Sequence, residues 1–164
     1  MSIEEDRREA YTALVRKYEN MVLRTALAMM KNMAEAEDVT QDVFLKVWEK
    51  HPAFESAEHE KAWLLRVTMN DCKSRFRSVW WKRTEGLSDV LPAETPEEQG
   101  LIEAVDALPF KYRQVIHLYY YEGYSTAEIA EITEQKPSTV RSLMKRAREK
   151  LKEVLEGGDD GEFV

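Results

Sequence analysis

One stretch of the chain places side chains suited to binding nucleic acid in a row at helical spacing. Three cations, an amide and an aromatic ring share one face of the segment from 63 to 79, namely Trp63, Arg66, Asn70, Lys73 and Arg77. Cations bind phosphates, and aromatic rings stack on unpaired bases. Residues 61–83 carry a net charge of +6, from seven cations and one carboxylate. The row therefore favours backbone contact combined with stacking on a single strand.

The tryptophans of this region allow a second interpretation. Trp63, Trp80 and Trp81 are large enough to fill a hydrophobic core, and a tryptophan is more often buried than used as a stacking platform. For each ring taken separately, burial is the favoured hypothesis. The basic row keeps its nucleic-acid interpretation in either case, because its cations and its amide do not depend on the rings.

A second basic segment, residues 137–152, carries a net charge of +5 and follows a short helix and a tight turn. Thr126 to Ile132 is the predicted first helix, about Thr133 to Lys136 the turn, and Pro137 suits the opening of the second helix. That helix has an apolar stripe of Val140, Leu143, Met144, Ala147 and Leu151. This layout is typical of a helix-turn-helix, whose second helix enters the DNA major groove.

The remaining side chains of the second helix face outward and can reach base edges and phosphates. They are Ser138, Thr139, Arg141, Ser142, Lys145 and Arg146, with Arg148 further along. A basic amphipathic helix without a nucleic-acid partner is the alternative, but it leaves the preceding helix and turn unexplained.

Composition sets the class of protein. The 164 residues are 43% apolar and 34% charged, with a net charge of -7, which is typical of a soluble globular protein. No membrane span or secretion signal is visible, the single cysteine Cys72 cannot form a disulfide within the chain, and His51, His59 and His117 lack ligand spacing. We expect a cytoplasmic protein without metal, cofactor or direct membrane insertion.

Helical periodicity runs through most of the chain, which predicts an all-α fold of two small domains. Asn32 is expected to separate a second helix from a third, and a fourth runs from near Glu60 to about Val79. In the second domain, Pro109 should open a helix that buries Val115, Ile116, Tyr119 and Tyr120. The predicted organisation is a helical domain 1–83, a flexible acidic linker 84–100, a helix-turn-helix domain 101–155 and a disordered tail 156–164.

Glu35, Asp38 and Asp42 share a face of the third predicted helix and could suggest a metal site. No histidine lies in this run, and carboxylates near a helix start are stabilised by the helix dipole. An acidic surface facing solvent or a partner is therefore favoured.

Three segments together resemble the extracytoplasmic-function group of bacterial sigma factors, over nearly the whole chain. AEDVTQDVFLKVW (36–48) is similar to the family's helix for core RNA polymerase, and KAWLLRVTMNDCKSRFRS (61–78) to its minus-ten segment. LPFKYRQVIHLYYYEGYSTAEIAEI (108–132), followed by STVRSLMKRAREKL (138–151), is similar to its minus-thirty-five domain.

The resemblance implies roles for individual residues. The polymerase would be contacted by Asp38, Gln41, Asp42 and Phe44. Asn70, with Trp63, Arg66, Lys73 and Arg77 around it, would capture the melted non-template strand of the minus-ten element, and the outward face of the last helix would bind minus-thirty-five duplex. An anti-sigma factor is a further implied partner.

The chain departs from the family pattern at three positions. Glu134 stands where relatives often have glycine in the turn, Leu143 where they commonly carry arginine in the recognition helix, and Met69 where arginine often precedes the minus-ten asparagine. The resemblance implies a non-enzymatic initiation factor. Two alternatives are a helix-turn-helix regulator that acts without polymerase and a helical metal-dependent enzyme built on the Asp38 and Asp42 face.

Overall fold

The computed structural model describes residues 2–79 and 96–157, and every regular element in these ranges is a helix. The helices are α1 (Ile3–Met30), α2 (Met33–Lys50), α3 (Ala57–Val79), α4 (Pro96–Asp106), α5 (Phe110–Ile116), α6 (Thr126–Thr133) and α7 (Pro137–Gly157). The chain divides into two compact units, Met1–Leu87 and Ser88–Val164, and each is described by itself. The predicted all-α class is confirmed for the described residues.

A single helix, α1, covers the part of the chain that the sequence predicted as two helices before Asn32. Residues 3–30 contain neither glycine nor proline, so no residue in this range interrupts the hydrogen-bond ladder. The Ser2 hydroxyl caps the start by accepting a hydrogen bond from the Glu5 amide at 3.1 Å. The helix ends where Lys31 adopts a left-handed conformation with φ 59°.

The first unit is a three-helix arrangement in which α1 packs against both α2 and α3, and α2 packs against α3. Side chains at most 1% exposed at its centre include Val22, Ala26, Val39, Val43, Leu64, Leu65, Met69 and Cys72. Each fully buried valine, leucine or methionine contributes about 1.5–3 kcal/mol through removal of apolar surface from water. The Tyr18 hydroxyl donates to Glu60 Oε1 at 2.7 Å and ties α1 to α3.

The start of α1 is fastened to the end of α2 around Trp48. The Arg7 guanidinium lies 3.6 Å from the centre of the Trp48 ring, and its Nη2 donates to the Trp48 carbonyl at 2.6 Å. Tyr11 meets the same ring edge-on at 5.1 Å, and its hydroxyl donates to the Phe44 carbonyl at 2.9 Å. These contacts extend the bundle beyond its apolar centre.

In the second unit, α5 runs into a π-helical turn, His117–Tyr121, that the sequence did not predict. The predicted burial of Val115 and Ile116 is confirmed, but Tyr120 is 57% exposed. The π turn adds a residue to the helical repeat and so changes which side chain meets the core. Leu118 is the residue that becomes fully buried there.

The helix-turn-helix has the predicted layout. The Ser125 hydroxyl accepts from the Glu128 amide at 3.1 Å, and the Glu128 carboxylate accepts from the Ser125 amide at 2.9 Å, which forms a capping box at the start of α6. Ile129, Ala130 and Ile132 are buried, as expected for the packing of α6 against α7. The two helices thus share one apolar interface.

Glu134 ends α6 in a left-handed conformation with φ 56° and ψ 44°. A residue with a Cβ atom costs about 1–2 kcal/mol in this conformation, and glycine avoids that cost. Glycine also gives the unfolded chain more freedom, which takes back roughly 0.5–1 kcal/mol of the gain. We therefore expect Glu134→Gly to stabilise the second unit by about 0.5 kcal/mol in urea denaturation followed by circular dichroism. Ala127→Gly, at an exposed helical position of α6, is the control and should destabilise it. A loss of stability in both variants would contradict this.

Several predictions fall wholly or partly outside the described ranges. Residues 84–95 of the predicted linker, the pair Trp80 and Trp81, and residues 158–164 of the tail lie there. The last residues of the predicted linker, 96–100, are helical in the structure, because α4 already begins at Pro96. Proline is suited to the first turn of a helix. Within the described ranges, no helix combines the length and apolar character needed to cross a bilayer.

Candidate nucleic-acid interface

The predicted basic row lies along one side of α3, away from the buried residues Leu65, Met69 and Cys72. Asn70, Lys73 and Arg77 are exposed, whereas Trp63 and Arg66 are half-buried. The buried side explains the row, because apolar residues at helical spacing turn the intervening positions outward. Met69 is 1% exposed, so the residue before Asn70 belongs to the core and not to the surface. The structure thus brings the five predicted residues onto one surface.

Trp63 is neither a core residue nor an open platform. Its ring is half-buried and meets Phe54 edge-on at 5.6 Å, and Phe54 in turn meets His59 at 5.5 Å. The His59 ring is held in place because its Nδ1 accepts a hydrogen bond from the Glu55 amide at 3.0 Å, just before α3 begins. Phe54, which sequence reasoning missed, therefore fixes the orientation of Trp63 in the row. An aromatic residue between Pro52 and the helix start was the available signal.

Arg75 belongs to the basic segment but is directed to α2 and not along the row. Its guanidinium bonds to Asp42 and lies 3.4 Å from Glu35 on α2, and its Nε donates to Asp71 at 3.1 Å. Burial opposes the charged form of this side chain, but the hydrogen bonds to Asp42 and Asp71 outweigh it and raise the pKa of Arg75 above its usual range. Lys46 of α2 adds a second cross-helix ion pair, 3.8 Å from Asp71.

The acidic face of α2 is only partly as predicted. Asp38 and Gln41 are exposed, and the side chain of Asp42 is 45% exposed while bound to Arg75. Phe44 is 5% exposed, so its predicted position on a partner-facing surface is wrong. Its neighbour Leu45 is 52% exposed and lies one to two helical turns from Gln41 and Asp38.

Phe44 is buried because the apolar stripe of α2 is wide. Val39, Val43 and Val47 already follow the helical repeat, and a stripe broad enough to meet two neighbouring helices also takes in position 44. Sequence reasoning could have found Leu45 as an apolar residue on the polar side of that stripe.

The outward face of α7 has the predicted exposure. All six predicted side chains are exposed: Ser138, Thr139, Arg141, Ser142, Lys145 and Arg146. Val140, Leu143, Met144 and Ala147 are at most 8% exposed, and Leu151 is half-buried. Leu143 therefore packs inward and leaves no side chain on the outer face at its position. The N-terminal end of α7 adds backbone N–H groups that favour a phosphate.

Arg148 differs from the other cations of α7. Its Nε donates to the Tyr120 hydroxyl at 3.0 Å, and its guanidinium lies 5.4 Å from the centre of the Tyr119 ring. The hydrogen bond to Tyr120 raises the pKa of Arg148. Two tyrosines of the π turn thus hold this arginine, whereas Arg141, Lys145 and Arg146 are exposed nearer the start of the helix.

The metal hypothesis concerns the carboxylates on the acidic face of α2. Among residues 2–79 and 96–157, no three His, Cys, Asp or Glu side chains form a group that could hold a metal ion. Asp42, one of the two carboxylates on which the metal hypothesis depended, is occupied by Arg75.

Comparison with known proteins links both surfaces to one family. The family described as Sigma-70 region 2 matches residues 14–82, and Sigma-70, region 4 matches residues 98–151. The ECF RNA polymerase sigma factor SigL of Mycobacterium tuberculosis is 30% identical over 88% of this chain and 88% of its own length. The probable RNA polymerase sigma factor RfaY of Xanthomonas campestris is 28% identical over 90% of this chain, which spans only 40% of RfaY.

A solved structure has the same fold. The sigma factor RpoE from Bartonella quintana, in complex with the anti-sigma factor NepR, matches with a TM-score of 0.71 and 24% identity. The match covers 90% of this chain and 98% of RpoE.

Proposed function

Because this chain belongs to the extracytoplasmic-function sigma factors of the sigma-70 family, we propose that it binds core RNA polymerase and directs promoter-specific transcription initiation. It catalyses no reaction, since bond formation belongs to the polymerase. Its place of action would be the cytoplasm, where polymerase and promoter DNA are found.

One observation carries the proposal: region 2 and region 4 matches occur in one chain, and each matched unit has an exposed basic face. In the first unit the row on α3, centred on Asn70, would bind the melted non-template strand of the minus-ten element. Its cations would contact phosphates, and its amide could bind the edge of an unstacked base. In the second unit the outer face of α7 would bind minus-thirty-five duplex.

The polymerase would bind the exposed face of α2. Asp38, Gln41 and Leu45 offer a carboxylate, an amide and an apolar side chain within two helical turns, with Asp42 at the edge. Such a combination suits a protein partner, because an apolar centre flanked by polar groups is the usual composition of an interface. An anti-sigma factor is a further proposed partner, and it would compete for these surfaces.

A run-off transcription assay tests the proposal. Purified core polymerase supplemented with this protein should initiate at a specific promoter, whereas core polymerase alone should not. A helix-turn-helix regulator that acts without polymerase would bind duplex operators but give no transcript with any of several candidate promoters. A metal-dependent enzyme would be revealed by stoichiometric metal in the purified protein.

Arg141→Gln and Arg146→Gln should each weaken binding to minus-thirty-five duplex. Both side chains are exposed on α7, and each lost phosphate contact should reduce the slope of log K against log salt by about 0.9. Fluorescence anisotropy with labelled duplex at several salt concentrations measures this. Lys152→Gln, at an exposed position three turns beyond Arg141 on α7, is the matched control and should change the slope less. An unchanged slope in both arginine variants would exclude phosphate contacts by them.

A further inference from the structure

Arg75 is unlike its neighbours on α3 because its charge is directed into the protein. Its side chain is 23% exposed and is surrounded by three carboxylates, those of Asp42, Glu35 and Asp71. Two of these belong to α2, so the contacts cross between helices. A guanidinium committed to several carboxylates in a partly desolvated position is held more firmly than one in an exposed surface pair.

The charges around Arg75 depend on it. Lys46 of α2 also crosses to α3, 3.8 Å from Asp71, so the two helices are joined by two cations and three carboxylates. If Arg75 were neutral, Asp71 would keep its ion pair with Lys46, but Asp42 and Glu35 would lose their bonds to Arg75 and the three carboxylates would remain near one another. Like charges at such short range repel, and the repulsion would act between α2 and α3.

The position of Arg75 in the sequence makes this tie relevant to the basic row. It lies between Lys73 and Arg77, whose side chains project to the exposed side of the same helical turns. Whatever fixes the backbone at Arg75 therefore also fixes the directions of these two cations. On the other helix, Asp42 adjoins the exposed face that carries Asp38 and Leu45.

We propose that Arg75 is a positioning residue for strand capture: by binding Asp42 and Glu35, it fixes the end of α3 that carries Lys73 and Arg77 relative to the polymerase-binding face of α2. This inference rests on the proposed function. We do not expect Arg75 itself to bind DNA, because each of its three nitrogen atoms already donates to a carboxylate. Asp42 acts through this inward ion pair as well as through any contact with the polymerase.

The test uses holoenzyme assembled from core polymerase and the full chain, at saturating polymerase. The probe is a labelled single-stranded oligonucleotide with the minus-ten non-template sequence of a promoter found by run-off transcription. Arg75→Gln should lower strand affinity about fivefold, keep polymerase affinity within about twofold, and leave the salt slope unchanged. Lys73→Gln, a matched loss of one exposed cation two residues away, should instead reduce the slope by about 0.7.

Two further variants separate positioning from simple loss of stability. Arg75→Lys retains the charge and should recover at least half of the lost affinity, and thermal unfolding of each variant ensures that binding is measured on folded protein. In a double-mutant cycle, Asp42→Asn and Arg75→Gln together should cost less than the product of their separate effects, because both remove the same ion pair.

The outcomes are distinct. Three results would each overturn the positioning role alone. Arg75→Gln could bind the strand as tightly as the wild type, or its salt slope could fall as in Lys73→Gln. The effects of Arg75→Gln and Asp42→Asn could also prove independent. Wild-type holoenzyme that initiates at no promoter and binds no strand would overturn the proposed function together with it. If Arg75→Gln does not fold, Asp42→Asn still decides, because it removes the same ion pair and should lower strand affinity without changing the salt slope.

Discussion

Replacing Asn70 by alanine should slow open-complex formation by about 10- to 100-fold and leave polymerase affinity within about twofold. Asn70 is exposed at the centre of the row, and its side chain offers both donors and an acceptor to a base edge. The substitution removes these groups without disturbing the core, because alanine favours a helix and the neighbouring Met69 stays buried.

The measurement for Asn70 is the rate of promoter opening by holoenzyme, followed with a fluorescent base in the minus-ten region, together with the dissociation constant for core polymerase. Asn20→Ala is the matched control, since Asn20 is an exposed asparagine on α1 and lies on neither proposed surface. Equal losses in promoter opening and polymerase binding would contradict the division of roles between α3 and α2.

Leu45→Glu should weaken polymerase binding about tenfold or more. Burying a leucine at an interface contributes about 1.5–3 kcal/mol. The substitution also places a charged carboxylate against apolar surface of the partner, which costs further free energy. Leu45 is 52% exposed, so the free protein should keep its stability.

Competition of labelled and unlabelled protein for core polymerase measures the effect of Leu45→Glu. Ile3→Glu, which alters an apolar residue that is 88% exposed at the start of α1, is the control and should bind polymerase normally. Once polymerase is saturating, Leu45→Glu should capture the minus-ten strand as well as the wild type does. Unchanged polymerase affinity would place the interface elsewhere.

Periodicity in the sequence was enough to predict the all-helical class, several of the helices and most of both basic surfaces. The outward side chains of α7 and the row on α3 follow directly from apolar residues at intervals of three and four, because a buried stripe determines the opposite face. The family resemblance places Glu134 where relatives often have glycine, and its φ of 56° is the left-handed conformation that favours glycine.

Other features of the structure cannot be predicted from helical periodicity alone. The exposure of Tyr120 follows from the π turn, which changes the repeat within one helix. The pairing of Arg75 with Asp42 depends on how α2 and α3 pack, and nothing in the spacing of either helix indicates it. Phe44 follows the apolar repeat of α2, and only the family resemblance assigned it to a partner-facing surface, whereas the structure buries it.

The distribution of aromatic residues between the two units has an optical consequence. All four tryptophans precede Leu87, at positions 48, 63, 80 and 81, whereas five of the seven tyrosines follow Ser88. Intrinsic fluorescence excited at the red edge of the absorption band will therefore monitor the first unit alone. Ultraviolet absorbance of tyrosine will be weighted toward the second unit, so the melting of each can be recorded in one sample of the intact protein without attaching a dye.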